Sequence, residues 1–213
     1  MRIITIYGVA GSGKDTVARY LQGVYRAPWA EVSGSLKVLA KALFSFTDES
    51  LWGPSHLRNV PQEVRPNYDA LTDFHFAGFR RPHEARQRLI EFVWCNWGFR
   101  WAHLSPRHVL QLIGTEWGRA YESGCWARIT ANALRASGNE PWGVVSGCRF
   151  ADEAQDFNVL VDRPGAGLGG PASEHSSEQI PPPEFYDHIL PNRGSLFDLY
   201  TAIDLGPLGD LLK

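Results

Sequence analysis

The chain is poor in lysine, cysteine and methionine and has no long apolar run, and each shortage excludes something. No stretch approaches the ~20 consecutive apolar residues that a bilayer-spanning helix requires, so a membrane partner is not expected. The first residues lack the basic-then-apolar pattern of a secretory signal, and a cytoplasmic location is the expectation. Three cysteines, Cys95, Cys125 and Cys148, form no CxxC pair and cannot all pair with one another, which argues for free thiols and against a thiolate zinc site. Lysine is scarce because the 21 basic residues are 17 arginines and only 4 lysines. The arginine fork suits carboxylate or phosphate, although GC-rich coding produces the same bias. The net charge of −2 argues against a broad grip on duplex nucleic acid, but it does not exclude a local basic patch.

What remains is enough for a core: 213 residues, 44% hydrophobic and 12% aromatic, expected to form a single domain spanning residues 1–213. Residues 2–7 (RIITIY) read as a strand, followed by a glycine-rich turn and a helix from Thr16. Residues 29–32 read as a second strand, then a helix with Ser35 as its N-cap. Four prolines interrupt residues 47–83, expected to be a long insertion or lid. Helical periodicity returns over 84–97, restarts at Ser105-Pro106 and continues over 124–136. Strands are expected at 142–146 and 158–162, a Gly/Pro-rich loop at 163–177, a short segment at 187–190 and a last helix over 195–203. Strands alternating with helices give an α/β class with a mostly parallel sheet flanked by helices.

The strongest chemical signal is Gly8-Val-Ala-Gly-Ser-Gly13-Lys14-Asp15-Thr16, a phosphate-binding loop GxxxxGK whose hydroxyl residue comes two places after the lysine. It lies between a strand and an amphipathic helix, as phosphate binding requires. Gly8, Gly11, Ser12 and Gly13 let backbone N–H groups converge on phosphate, the helix start adds partial positive charge, and Lys14 reaches the β and γ phosphates. Thr16, or less directly Asp15, is the candidate to hold Mg²⁺ arriving with ATP.

Further segments follow in order: Ser33-Gly34-Ser35-Leu36-Lys37; Arg107-His-Val-Leu-Gln111-Leu-Ile-Gly114-Thr115-Glu116 with Arg119 and Trp126; Arg149-Phe150 with Glu153; Arg163-Pro164-Gly165; His175-Ser-Ser-Glu178; and Asp187 to Leu196. Together with the phosphate loop they resemble the deoxynucleoside monophosphate kinases of bacteriophages. The resemblance implies a P-loop NTPase fold of the nucleoside monophosphate kinase kind, with ATP and Mg²⁺ as cofactors and location in the host cytoplasm. It implies that Lys14, Arg107, Arg149 and Asp15 act on the transferring phosphoryl group. Arg163 would join the ATP site, and Lys37, Arg107, Gln111 and Arg119 would meet the acceptor nucleotide. The oligomeric state is open, a homodimer being one arrangement. One departure stands out: related kinases often carry an Asp two residues before the arginine matching Arg149, and this chain has Gly147. Asp15, Glu116, Asp152 and Glu153 are the substitutes within these motifs.

Three functions follow. The first is a kinase converting a deoxynucleoside monophosphate (dNMP) and ATP to the diphosphate and ADP. The second is a related phage kinase acting on hydroxymethyluracil bases within DNA, motivated by residues 79–101, which hold five Arg against two Glu and three Trp. Trp94, Trp97 and Trp101 would share one helical face if the helix runs that far, as core more readily than as a stacking platform. The third is a non-catalytic ATP-binding module.

Overall fold

A computed structural model describes residues 1–167 and 180–213. The contacts divide the chain into two compact units, one built from residues 1–32 and 130–213 and one from residues 33–129.

The first unit is a five-stranded, wholly parallel sheet in the order β2-β5-β1-β6-β7. Its strands are β1 (Arg2–Tyr7), β2 (Trp29–Glu31), β5 (Trp142–Cys148), β6 (Phe157–Asp162) and β7 (His188–Pro191). Parallel neighbours need crossovers, and the β-branched β1 is buried along its length after Arg2, as a central parallel strand must be. Helix α1 (Lys14–Tyr25) places Val17, Ala18 and Leu21 on Ile4, Ile6, Val144, Val159 and Val161. Helices α7 (Leu196–Asp204) and α8 (Pro207–Leu212) extend the same core with Leu199, Ile203 and Leu208. Ser195 caps α7: its Oγ accepts from Asp198 N–H at 3.3 Å while Asp198 Oδ2 accepts from Ser195 N–H at 2.8 Å. The expected parallel α/β sheet is therefore present, and its strand order puts β1 between neighbours drawn from later in the chain.

The second unit is mainly helical: α2 (Ser33–Phe44), α3 (Asp48–Trp52), α4 (Pro82–Trp97) and α5 (Pro106–Gln111). The proline-interrupted segment contributes α3, three short 3-10 turns and β3 (Gln62–Val64), which pairs antiparallel with β4 (Ala102–Leu104). Both strands are three residues long, too short for an alternating pattern to show. Ser105 caps α5 by accepting from His108 N–H at 3.3 Å, with Pro106 in the first turn, as its sequence signals. Beyond Gln111 the helix widens into a π-helix over Leu112–Arg119. Helix α6 (Cys125–Ser137) starts in this unit and continues into the first.

Two expectations are corrected here. Ser35 lies inside α2, which already begins at Ser33, so it is not the cap. The three tryptophans do not share a helical face as core, because α4 stops at Gly98, whose φ of 55° turns the chain before Trp101. Trp94 and Trp101 are 51% and 64% exposed. Cys125 and Cys148 are buried free thiols whereas Cys95 is exposed; burial pushes Cys125 up to about 12 and Cys148 well above its ordinary value. Among the described residues no helix is long and apolar enough to cross a membrane.

Candidate functional site

The loop between β1 and α1 is shaped by its glycines. Gly8, Gly11 and Gly13 have φ of 151°, 75° and 98°, values that side chains resist, and the left-handed turns at Gly11 and Gly13 are those from which anion-binding nests are built. Gly13 is required twice over, since a Cβ there would stand 2.5 Å from Asn192 Nδ2. The loop's carbonyls are held by the strand ends beside it. Asn192, after β7, donates its side-chain amide to Ser12 O at 2.8 Å. Gly167 N–H donates to Ala10 O at 2.9 Å, and the Arg163 guanidinium reaches Gly11 O at 3.4 Å. With three successive carbonyls engaged, the loop is braced before any ligand arrives.

Ser12 Oγ is wholly buried and has no hydrogen-bond partner among the described residues. A buried hydroxyl without a partner is costly, so this orphan marks a place where a ligand oxygen can complete the site. The loop thus fits the phosphates of ATP. Lys14, Asp15 and Thr16, half-buried, open α1, where the partial positive charge of the helix start favours an anion. Asp15 Oδ1 accepts from Ser146 Oγ at 3.5 Å, and Ser146 in turn accepts from Trp29 Nε1 at 2.8 Å. Among the described residues no cluster of three or more His, Cys, Asp or Glu could hold a metal, so the candidate Mg²⁺ residues remain Thr16 and Asp15 beside the phosphate loop.

At the end of β5 the register slips between Ile6 and Tyr7, which face Ser146 and Cys148, leaving Gly147 as the extra residue with φ 84°. The absent acid is thus a backbone requirement, met by the residue that best accepts this conformation. Beyond the bulge, buried Glu153 accepts from Arg149 N–H at 2.7 Å and Phe150 N–H at 3.1 Å, and so shapes the turn that presents half-buried Arg149. Glu153 is therefore committed to backbone, and Asp152 is exposed. Of the possible substitutes for the missing acid, Asp15 is the one built into the phosphate loop. Tyr7 packs under the turn, its hydroxyl donating to Phe150 O at 3.3 Å, and burial raises its pKa far beyond the ordinary phenol value.

The remaining candidates lie in the second unit. Arg107, in the first turn of α5, donates from Nε to Asn59 Oδ1 at 2.6 Å. Gln111 is exposed at the end of α5; Glu116 is exposed and Arg119 half-buried on the π-helix that follows. Lys37, on α2, is only 6% exposed, a buried lysine and not a solvated one. Two glycines here are fixed by their neighbours: a Cβ on Gly118 would lie 2.6 Å from the Trp126 ring, and one on Gly114, whose carbonyl accepts from Trp126 Nε1 at 2.9 Å, would lie 2.7 Å from Leu36 Cδ2. His175 and Glu178 lie outside the described residues. Asn192, Ser146 and Trp29 escaped the sequence reading as site residues. Asn192 lay within a noted motif, but nothing in the spacing links it to Ser12.

No protein-family profile matches this chain. A protein of Acanthamoeba polyphaga mimivirus, provisionally named a deoxynucleotide monophosphate kinase, is 23% identical over 222 residues, covering 95% of this chain and 94% of its own. The crystal structure of TT1252 from Thermus thermophilus resembles this fold with a TM-score of 0.50 and 18% identity, covering 95% of this chain and 94% of its own. The fold is thus α/β, a five-stranded parallel sheet flanked by helices and consistent with the P-loop NTPase type.

Proposed function

We propose that this protein is an ATP-dependent nucleotide kinase that transfers the γ-phosphoryl group of ATP to a deoxynucleoside monophosphate, giving the diphosphate and ADP. The observation that carries the reading is the braced glycine loop between β1 and α1, with its buried Ser12 hydroxyl that no described residue partners. The provisional name of the mimivirus relative supports the same chemistry.

In this mechanism an oxygen of the acceptor phosphate attacks the γ-phosphorus as its bond to the β-bridging oxygen breaks. The acceptor is already anionic at neutral pH, so no general base is required and the absence of an acid at Gly147 is tolerated. The protein's task is positioning and charge neutralisation. Gly8, Gly11, Ser12 and Gly13 cradle the donor phosphates, Lys14 neutralises charge on the transferring group, and Arg163 borders the loop. Thr16 and Asp15 are the residues that would hold Mg²⁺, which when bound would supply Lewis-acid neutralisation of phosphate charge. Arg149 is a clamp on the transferring group; Lys37, Arg107, Gln111 and Arg119 serve the acceptor.

Free nucleotide is preferred over DNA because residues 79–101 do not form a bare basic track. Arg80 pairs with Glu122, Arg81 with Glu84 and Arg88 with Glu91, while Phe79 is buried among Trp117, Trp126 and Tyr121. The test supplies labelled ATP with free deoxynucleoside monophosphates and, in parallel, with DNA containing hydroxymethyluracil. Transfer to free nucleotide is expected; transfer to polymer alone assigns the DNA reaction instead, and ATP binding without transfer points to a non-catalytic module. Lys14→Ala should lower transfer about 10²–10³-fold through loss of charge neutralisation, and full activity in that variant would overturn the phosphate-loop assignment.

A further inference from the structure

Asp15 directly follows Lys14, where a phosphate loop of the general pattern places a hydroxyl. A carboxylate here adjoins the site of bound phosphates, and two anions repel unless a cation lies between them. The structure nevertheless sets a hydroxyl beside this carboxylate. Trp29 Nε1 donates to Ser146 Oγ at 2.8 Å, and Ser146 Oγ lies 3.5 Å from Asp15 Oδ1. The polarity of the chain follows from its chemistry: an indole N–H can only donate, so it fills a lone pair of the Ser146 oxygen and leaves the hydroxyl proton for the carboxylate. Asp15 Oδ2 has no hydrogen-bond partner among the described residues. Ser146 is wholly buried at the carboxyl end of β5, opposite Ile6 of β1 and Glu31 of β2. The next residue, Gly147, carries no side chain that could do the same work.

We propose that Trp29 and Ser146 are positioning residues that hold the Asp15 carboxylate toward the divalent cation accompanying ATP, so that the helix start supplies the acid the end of β5 lacks. This rests on the phosphoryl-transfer reading above. It sets opposite signs for two affinities: Asp15 disfavours metal-free nucleotide through repulsion and favours metal-loaded nucleotide through the cation.

The experiment is calorimetric titration with a non-hydrolysable ATP analogue, in EDTA and in Mg²⁺, of the wild type and of Asp15→Asn, Ser146→Ala, Trp29→Phe and the Asp15→Asn/Ser146→Ala double variant. Asp15→Asn should bind the metal-free analogue at least as tightly as wild type and the Mg²⁺-loaded analogue about 10-fold more weakly. Ser146→Ala and Trp29→Phe should weaken only the Mg²⁺-loaded binding, by a smaller factor, and Ser146→Ala should add nothing once Asp15 is Asn. A lesion that merely distorts the loop weakens both arms. Equal weakening in EDTA and Mg²⁺, unchanged Mg²⁺ dependence in Asp15→Asn, or a Ser146→Ala effect that persists in the double variant would each overturn the inference while leaving the kinase reading intact. Failure of the wild type to bind the analogue at all would remove the kinase reading, and this inference with it.

Discussion

Gly147 shows how one residue can trade chemistry for geometry. Its φ of 84° absorbs the bulge that lets Tyr7 pair with Cys148 after Ile6 has paired with Ser146. A Cβ at this position meets nothing within 4 Å, so a substitution is resisted by the backbone alone. Gly147→Asp should therefore lower unfolding free energy by about 1–2 kcal/mol, read from the urea midpoint at unchanged slope. A variant as stable as wild type would show that the bulge is not what demands glycine. The phosphate loop was legible in the sequence because its chemistry is local: eight consecutive positions after Gly8 carry both the turn and the lysine. Asn192, Ser146 and Trp29 were not, because their contacts with the loop are set by the order of strands in the sheet. Asn192 meets Ser12 across 180 positions and Ser146 meets Asp15 across 131.

Among the elements, α5 and the π-helix that continues it combine a readable start with an unreadable middle. Ser105 and Pro106 announce the first turn. The widening over Leu112–Arg119 has no such signal, since it depends on packing as much as on the residues themselves. Its glycines report that packing: Gly114 supplies a carbonyl to the Trp126 indole, and Gly118 leaves room for the ring. Gly118→Ala would place its methyl 2.6 Å from Trp126 Cζ2, too close without movement of a buried ring. It should cost about 1–3 kcal/mol by overpacking, despite the better helix propensity of alanine. Stabilisation, measured by denaturant unfolding, would show that Trp126 yields freely. In α4 the opposite occurred: the tryptophan spacing suggested a continuous face, and Gly98 ended the helix before Trp101 could join it.

The molecule as a whole carries its pH sensitivity in part through the sheet edge. His188, opening β7, is lowered from its ordinary value of 6.5 by burial, and its Nε2 has no partner among the described residues. The folded chain therefore resists the proton that the unfolded chain accepts. Stability from this residue is present above pH 6.5 and is lost as the pH falls from there toward the lower folded pKa. Thermal melting should fall between neutral pH and about pH 5, and His188→Gln should show a shallower fall; an identical fall would remove His188 as a cause.

The sheet unit is assembled from two separate stretches, residues 1–32 and 130–213, which residues 33–129 separate in the sequence. Synthesis therefore delivers β1 long before either strand that pairs with it. Ile3, whose N–H is accepted by Asp156, waits for a partner 153 residues away. At the usual pace of translation that delay is on the order of ten seconds, during which an apolar strand with both edges open must be kept from other chains. The phosphate loop, which directly follows β1, therefore cannot take its braced shape until Asn192, far later in the chain, has been made.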